Sequence, residues 1–180
     1  MTTKFQASRL NLPAFAHEGQ PLSGSAILSN MQRLAQEAQG LQVDSTVEWQ
    51  ASAELRAGSS SEADVWLHLQ GHASVPLTCQ RCMSVVATPI EVDRWYRFVA
   101  TEEIAMTEDD ESEEDLLVME PHFDLLALLE DELLMALPLV PMHETCTATL
   151  RLGIDERGVP DGAGEKANPF AVLAQLKKKN

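Results

Sequence analysis

A chain of 180 residues, 44% of them hydrophobic, holds enough apolar material for one core plus appendages. Its net charge of −15 disfavours extended contact with RNA or DNA, whose phosphates need Lys and Arg, unless a local basic patch supplies it. A basic protein is the easier electrostatic partner. The first ten residues hold no apolar core of signal-peptide length, and no stretch approaches the roughly 20 apolar residues of a membrane span. Three cysteines, an odd number, do not form a secreted disulfide framework. These features predict a cytoplasmic protein with no membrane partner.

Residues 1–25 form an N-terminal segment in which Pro13, Gly19, Pro21 and Gly24 interrupt any long element. With Ser23 or Ser25 as the cap, Ile27, Leu28, Met31, Leu34 and Ala38 follow helical spacing up to Gly40, which predicts an N-terminal helix. Next, Val47, Trp49, Ala51, Ala53 and Leu55 alternate with polar residues. After a Gly/Ser turn, Val65, Leu67, Leu69, Ala73 and Val75 do the same. Period two on both sides of the turn predicts two half-buried antiparallel strands, the second ending at Pro76. A third alternation, Ile90, Val92, Tyr96 and Phe98, places Cys79 and Cys82 on a turn between strands.

Residues 102–120 contain ten acidic side chains and no basic one, and they are expected to form a solvated acidic loop with a short strand near Leu116–Met119. Phe123, Leu126, Leu129, Leu133 and Leu137 then mark the main helix, 123–137, which Pro138 and Pro141 terminate. A glycine-rich linker begins at 151. Asn168, Pro169, Phe170, Leu173 and Leu176 predict a short C-terminal amphipathic helix ending in Lys177, Lys178 and Lys179. The expected fold class is therefore α+β. An antiparallel sheet over about 43–99 packs against one main helix, with an N-terminal helix and a short C-terminal helical tail. The expected organisation is an N-terminal segment 1–25, a domain 26–150, and a linker with tail over 151–180.

The candidate chemistry lies in Cys79, Cys82, His143 and Cys146. Two cysteines at i and i+3 on a turn reach one ion, and His143 and Cys146 repeat that spacing behind a proline. Three thiols and an imidazole make a closed tetrahedral set of the kind structural zinc prefers. Two other readings stay open: loop or buried thiols without a metal, and a redox pair, which the absence of a surrounding βαβ pattern disfavours. Met83 stands where a glycine often completes a zinc knuckle. His68 and His72 lie on a polar strand face, and His17 and His122 have no ligand neighbours at metal spacing. The chain shows no phosphate-cradling glycine loop, nucleophile elbow or paired acid and base, so neither catalysis nor a small-molecule substrate is expected.

Several stretches in order resemble the bacterial YceD family: Leu77–Cys82, the acidic segment, Phe123–Leu126 with Glu130–Leu133, Leu137–His143, and Asn168–Lys177. The family is described as large ribosomal RNA subunit accumulation proteins. The resemblance implies a cytoplasmic role in synthesis, processing or accumulation of large-subunit (23S) rRNA. It also implies a gene neighbouring one for a large-subunit ribosomal protein, and it supplies no catalytic residues. Acidity and this role are reconciled if the protein holds a basic ribosomal protein or rRNA-processing factor. A local rRNA contact through Arg81, Arg94, Arg97 and the terminal lysines is the other route. The alternative from another class is a zinc-dependent protein that binds or processes precursor rRNA directly.

Overall fold

Alternating apolar and polar residues build a five-stranded sheet of order β1-β2-β3-β4-β5. In this computed structural model, which describes residues 5–39, 45–57 and 63–146, the strands are β1 (Leu22–Ile27), β2 (Thr46–Ala57), β3 (Ala63–Thr78), β4 (Val85–Val99) and β5 (Asp115–Val118). The first four pair antiparallel in sequence order, and β5 pairs parallel to β4. The helices are α1 (Leu12–Glu18), α2 (Gln32–Glu37), α3 (Glu102–Glu108) and α4 (Leu125–Met135). The fold is α+β, as the sequence pattern predicts.

The core lies on one side of the sheet. Val47, Trp49, Ala51 and Ala53 of β2 point into it, as do Val65, Leu67, Leu69, Ala73 and Val75 of β3 and Ile90, Val92, Tyr96 and Phe98 of β4. Leu12 and Phe15 of α1 and Leu125, Leu129 and Leu133 of α4 close over them. Each Val, Leu, Ile and Phe among them contributes about 1.5–3 kcal/mol of burial, the alanines less. Gly71 occupies an inward position of β3, and a Cβ there would sit 2.6 Å from Leu129 Cδ1. Its missing side chain is what lets α4 approach the sheet.

Several local expectations need correction. The helix expected from Ser25 to Gly40 is instead β1, a 3₁₀ turn at Leu28–Asn30 and the six-residue α2. Pairing with β2 overrides the helical spacing of its apolar residues. The stop expected at Gly40 lies outside the described residues. The N-terminal segment does hold a helix: Asn11 caps α1 by accepting from the Ala14 amide, and Pro13 falls in the first turn, where no amide is needed. Gly19, at φ 60°, ends it in the left-handed conformation. Antiparallel bonds between Leu10 and Phe123 tie this segment to the lead-in of α4.

Pro76 lies within β3 and does not end it. Its carbonyl accepts from the Gln39 amide at 2.7 Å, so its nitrogen, on the same side, also faces away from β4. The β4 ladder loses no donor. The stripe on α4 is also displaced: Leu125, Leu129, Glu132 and Leu133 are buried, while Leu126 is half-buried. The acidic stretch is not a loop throughout. Thr101 accepts from the Ile104 amide, Glu102 and Glu103 sit in the first turn of α3, and β5 follows as the predicted strand. Arg97, only 11% exposed, clamps it by meeting Asp64 at 3.3 Å, Glu108 at 2.7 Å and the Ser112 hydroxyl at 2.9 Å.

Three consecutive carboxylates of α4 reach other elements, the first two sharing Arg33. Glu130 accepts from the Arg33 and Leu34 amides, at 2.7 and 3.1 Å, and so caps α2 from another helix. The residue at α2's own cap position, Met31, offers no side-chain acceptor. Asp131 pairs with the Arg33 guanidinium. Glu132, buried, meets Arg94 at 3.4 Å. Beside it the Tyr96 hydroxyl is buried without a hydrogen-bond partner, and burial, with the neighbouring Glu132 carboxylate, pushes its ionisation up. Contacts divide the chain into Met1–Thr147 and Ala148–Asn180. The expected linker and C-terminal helix belong to the second part and lie outside the described residues.

Removing the cap that Glu130 supplies should cost about 1–2 kcal/mol, because two first-turn amides lose their acceptor. Glu130→Ala is therefore expected to lower the urea midpoint clearly. Asp131→Ala, which loses only a surface pair, should cost less than about 1 kcal/mol. Equal effects from the two would contradict this assignment.

Candidate metal centre

The β3–β4 turn is built to aim two thiols the same way. After Thr78 the chain reverses over 79–84, closed by the Cys79 amide donating to the Ser84 carbonyl at 2.9 Å and the Met83 amide donating to the Cys79 carbonyl at 2.9 Å. Met83 sits at φ 60°, the only non-glycine residue with positive φ among those described. Met83 stands where a zinc knuckle often has glycine, and its backbone takes the left-handed conformation all the same. Across from the turn, Pro138 and Pro141 lead the chain from α4 to His143 and Cys146. The Gln80 amide donates to the Pro141 carbonyl at 2.9 Å and pins that strand of chain against the turn.

The four candidate ligand atoms, from Cys79, Cys82, His143 and Cys146, all lie within 4.8 Å of one another. Cys79 Sγ is 3.8 Å from Cys146 Sγ, and Cys82 Sγ is 3.4 Å from His143 Nδ1. A tetrahedral site with Zn–S bonds near 2.3 Å has sulfur–sulfur edges of about 3.8 Å. His143 Nε2 lies 3.1 Å from the Val85 carbonyl. A carbonyl only accepts, so Nε2 carries the proton and Nδ1 presents its lone pair to the thiols, the orientation a metal-ligating histidine usually receives from its surroundings. Cys79 is buried, and Cys82 and Cys146 are partly so.

Burial opposes ionisation of Cys79. The amide of His143, donating to its sulfur at 3.4 Å, and the amides of Cys82 and Arg81 outweigh that effect and bring the thiol down to about 5. Cys82 is lowered mainly by the hydroxyl and amide of Ser84. Cys146 moves the other way, pushed up to about 11 by burial and then by the neighbouring Cys82 and Cys79. His143 is raised, chiefly by its bond to Cys79. The turn thus stabilises thiolate before any cation arrives, and a divalent ion would complete the charge balance.

The other predicted positions lie elsewhere. His68 bonds Asp93 at 2.6 Å, His72 faces Glu48 at 3.2 Å, and both project from the sheet face opposite the core. His17 and His122 are exposed and lie outside the cluster. Of the arginines named for a local RNA contact, Arg94 meets Asp115 and Glu132 and Arg97 is held by the acidic segment, while Arg81 is exposed at the tip of the turn. Sequence reasoning missed an aromatic ladder on the open sheet face. There the Arg56 guanidinium lies 4.2 Å from the ring centre of Trp66 and 4.3 Å from that of Trp95, and His68 stacks on Trp95 at 4.4 Å. The pairing of His68 with Trp95 creates it, and that register is not written in either strand alone.

Two measurements check this geometry. Met83→Gly relieves a left-handed residue that carries a side chain and should leave the fold unchanged or stabilise it by up to about 1 kcal/mol, whereas a β-branched Met83→Val should destabilise it. In metal-free protein the Cys79 thiolate should persist at neutral pH and protonate near pH about 5, seen as an ultraviolet thiolate step that Cys79→Ser abolishes. Because its folded pKa lies below the ordinary thiol value, the stability it contributes is complete above that ordinary value. It is lost as pH falls through about 5. No thiolate absorbance at neutral pH would contradict the account.

The family model described as "Large ribosomal RNA subunit accumulation protein YceD" matches residues 67–177, a span that includes all four candidate ligands and α4. The large ribosomal RNA subunit accumulation protein YceD of Haemophilus influenzae is 39% identical over 113 residues, covering 58% of this chain and 61% of that protein. The match thus spans about three-fifths of that relative's length. No solved structure matches the chain. With well over half of its length matched by the family model, this chain belongs to the YceD family.

Proposed function

We propose that this protein is a non-enzymatic ribosome biogenesis factor that supports synthesis, processing or accumulation of large-subunit rRNA in the cytoplasm. Its partner in this reading is a basic ribosomal protein or an rRNA-processing factor. Membership of a family described by large-subunit rRNA accumulation is the observation that carries the reading. The charge of −15 and the engagement of Arg94 and Arg97 in internal ion pairs favour a protein partner over extended RNA contact. The carboxylates of α4, the natural candidates for general acid and base, are used as a helix cap and as partners of arginines. No helix among the described residues is long and apolar enough to cross a membrane.

In the same reading Cys79, Cys82, His143 and Cys146 hold one structural zinc. A bound ion supplies a cross-link and folding free energy, with four protein ligands and no open position for substrate. The residues themselves join the β3–β4 turn to the chain leaving α4, and the Val85 carbonyl fixes the imidazole. Arg81, exposed at the tip of the turn, favours the second reading, a zinc-dependent protein that contacts precursor rRNA directly.

Affinity purification from nuclease-treated cells separates the two. Retention of basic ribosomal proteins after RNA digestion is expected under the first reading, and their complete loss would point to the second. Depletion should lower mature large-subunit rRNA relative to small-subunit rRNA; unchanged levels would sink both.

A further inference from the structure

On the sheet face opposite the core the acidic segment lies over Arg97 at the β4 end, and the part across β1, β2 and β3 stays open among the described residues and is not a random polar surface. The ladder of Arg56, Trp66, Trp95 and His68 crosses β2, β3 and β4, with Asp93 holding His68. Trp66 Nε1 is buried there without a hydrogen-bond partner. Beside the ladder runs a groove of about 830 Å³ lined by Glu48, Gln50, Gln70, His72, Glu91 and Asp93, with Ser23 and Ser25 at its β1 end. Three carboxylates line it and neither Lys nor Arg does. Glu91 makes no ion pair among the described residues, and Glu48 has only the imidazole of His72, each member of that pair being 63% exposed.

The dimensions and charge select an occupant. Four strands at about 4.8 Å spacing make a floor roughly 14 Å across, the length of about four residues of extended chain. A nucleic-acid strand laid there would set its phosphates against Glu48, Glu91 and Asp93. It would also find the Trp66 and Trp95 rings already engaged by Arg56 and His68. A cationic polypeptide meets the opposite field: its ammonium or guanidinium groups pair with the carboxylates of the groove.

We propose that this open sheet face is the docking surface for the protein's partner, and that its occupant is an extended Lys/Arg-rich segment of a basic protein. The inference rests on the reading that the partner is basic, and it adds the surface and the form in which that partner is recognised. Rim carboxylates of this kind set association rate and salt dependence as well as affinity.

The test uses the full chain and a fluorescently labelled, unstructured Lys/Arg-rich peptide of about ten residues, with labelled single-stranded RNA of similar length in parallel. Glu48→Gln with Glu91→Gln removes two charges from the groove. Glu102→Gln with Asp110→Asn removes the same charge from the acidic segment and serves as the control. The groove pair should weaken peptide binding by about tenfold. The control should change it by about twofold or less. Equal losses from both pairs, or none from the groove pair, overturn the docking surface while leaving a basic partner in place. No peptide binding by the unmodified protein overturns the basic-partner reading and this surface together. RNA binding that the groove pair strengthens overturns it in favour of nucleic acid.

Discussion

The β3–β4 turn and the chain leaving α4 depend on one long-range join, between the turn that carries Cys79 and the segment that carries His143, 64 residues apart in sequence. Neither piece has an apolar core of its own. The turn is a six-residue reversal containing a left-handed Met83, and the segment after α4 is a proline-stiffened run in which Leu139 is fully exposed. What joins them is polar: amide-to-carbonyl and amide-to-sulfur bonds, and four soft or borderline ligand atoms facing one point. A metal there would act as a fastener. It would close the end of the sheet that β2 does not reach and fix the direction in which the chain leaves α4.

The sheet itself is asymmetric by design of its sequence. Inward positions are mostly Val, Leu, Ala and Ile with Trp49, Tyr96 and Phe98, and one glycine yields its Cβ space to Leu129. Outward positions are carboxylates, amides, histidines and two tryptophans. A sheet with one covered face ordinarily presents unremarkable polar residues to water. Here the open face instead organises its cations and aromatics into a stacked row and leaves carboxylates along a groove. Arg97 holds the acidic segment near the β5 edge through Glu108 and Ser112, while Glu102, Glu103, Asp109 and Asp110 stay exposed. The protein therefore offers two acidic surfaces of different shape.

The long-range parts of the fold were legible where the signal was periodic and local. Period two over β2, β3 and β4 fixed both the strands and their inward residues. The i, i+3 spacing of Cys79 with Cys82 and of His143 with Cys146 identified the cluster, since each pair is local and only the meeting of pairs is long-range. Legibility failed where tertiary partners decide. Ile27, Leu28, Met31, Leu34 and Ala38 keep helical spacing, yet Leu22–Ile27 is a strand because it pairs with β2. Pro76 looked like a terminator because nothing in the sequence says that β2 ends before reaching it. Glu130 reads as helix-surface charge until α2, 97 residues away in sequence, is found lacking a cap. The imidazole tautomer and the aromatic ladder likewise need the strand register.

The central claim is that Cys79, Cys82, His143 and Cys146 bind a structural metal. Zinc-edge X-ray absorption on protein purified without a histidine tag tests it most directly. The account predicts about one zinc per chain in a four-coordinate shell of three sulfurs near 2.3 Å and one nitrogen near 2.0–2.1 Å. Protein that carries no zinc after purification in metal-replete buffer, or zinc in an oxygen-rich shell, would contradict it.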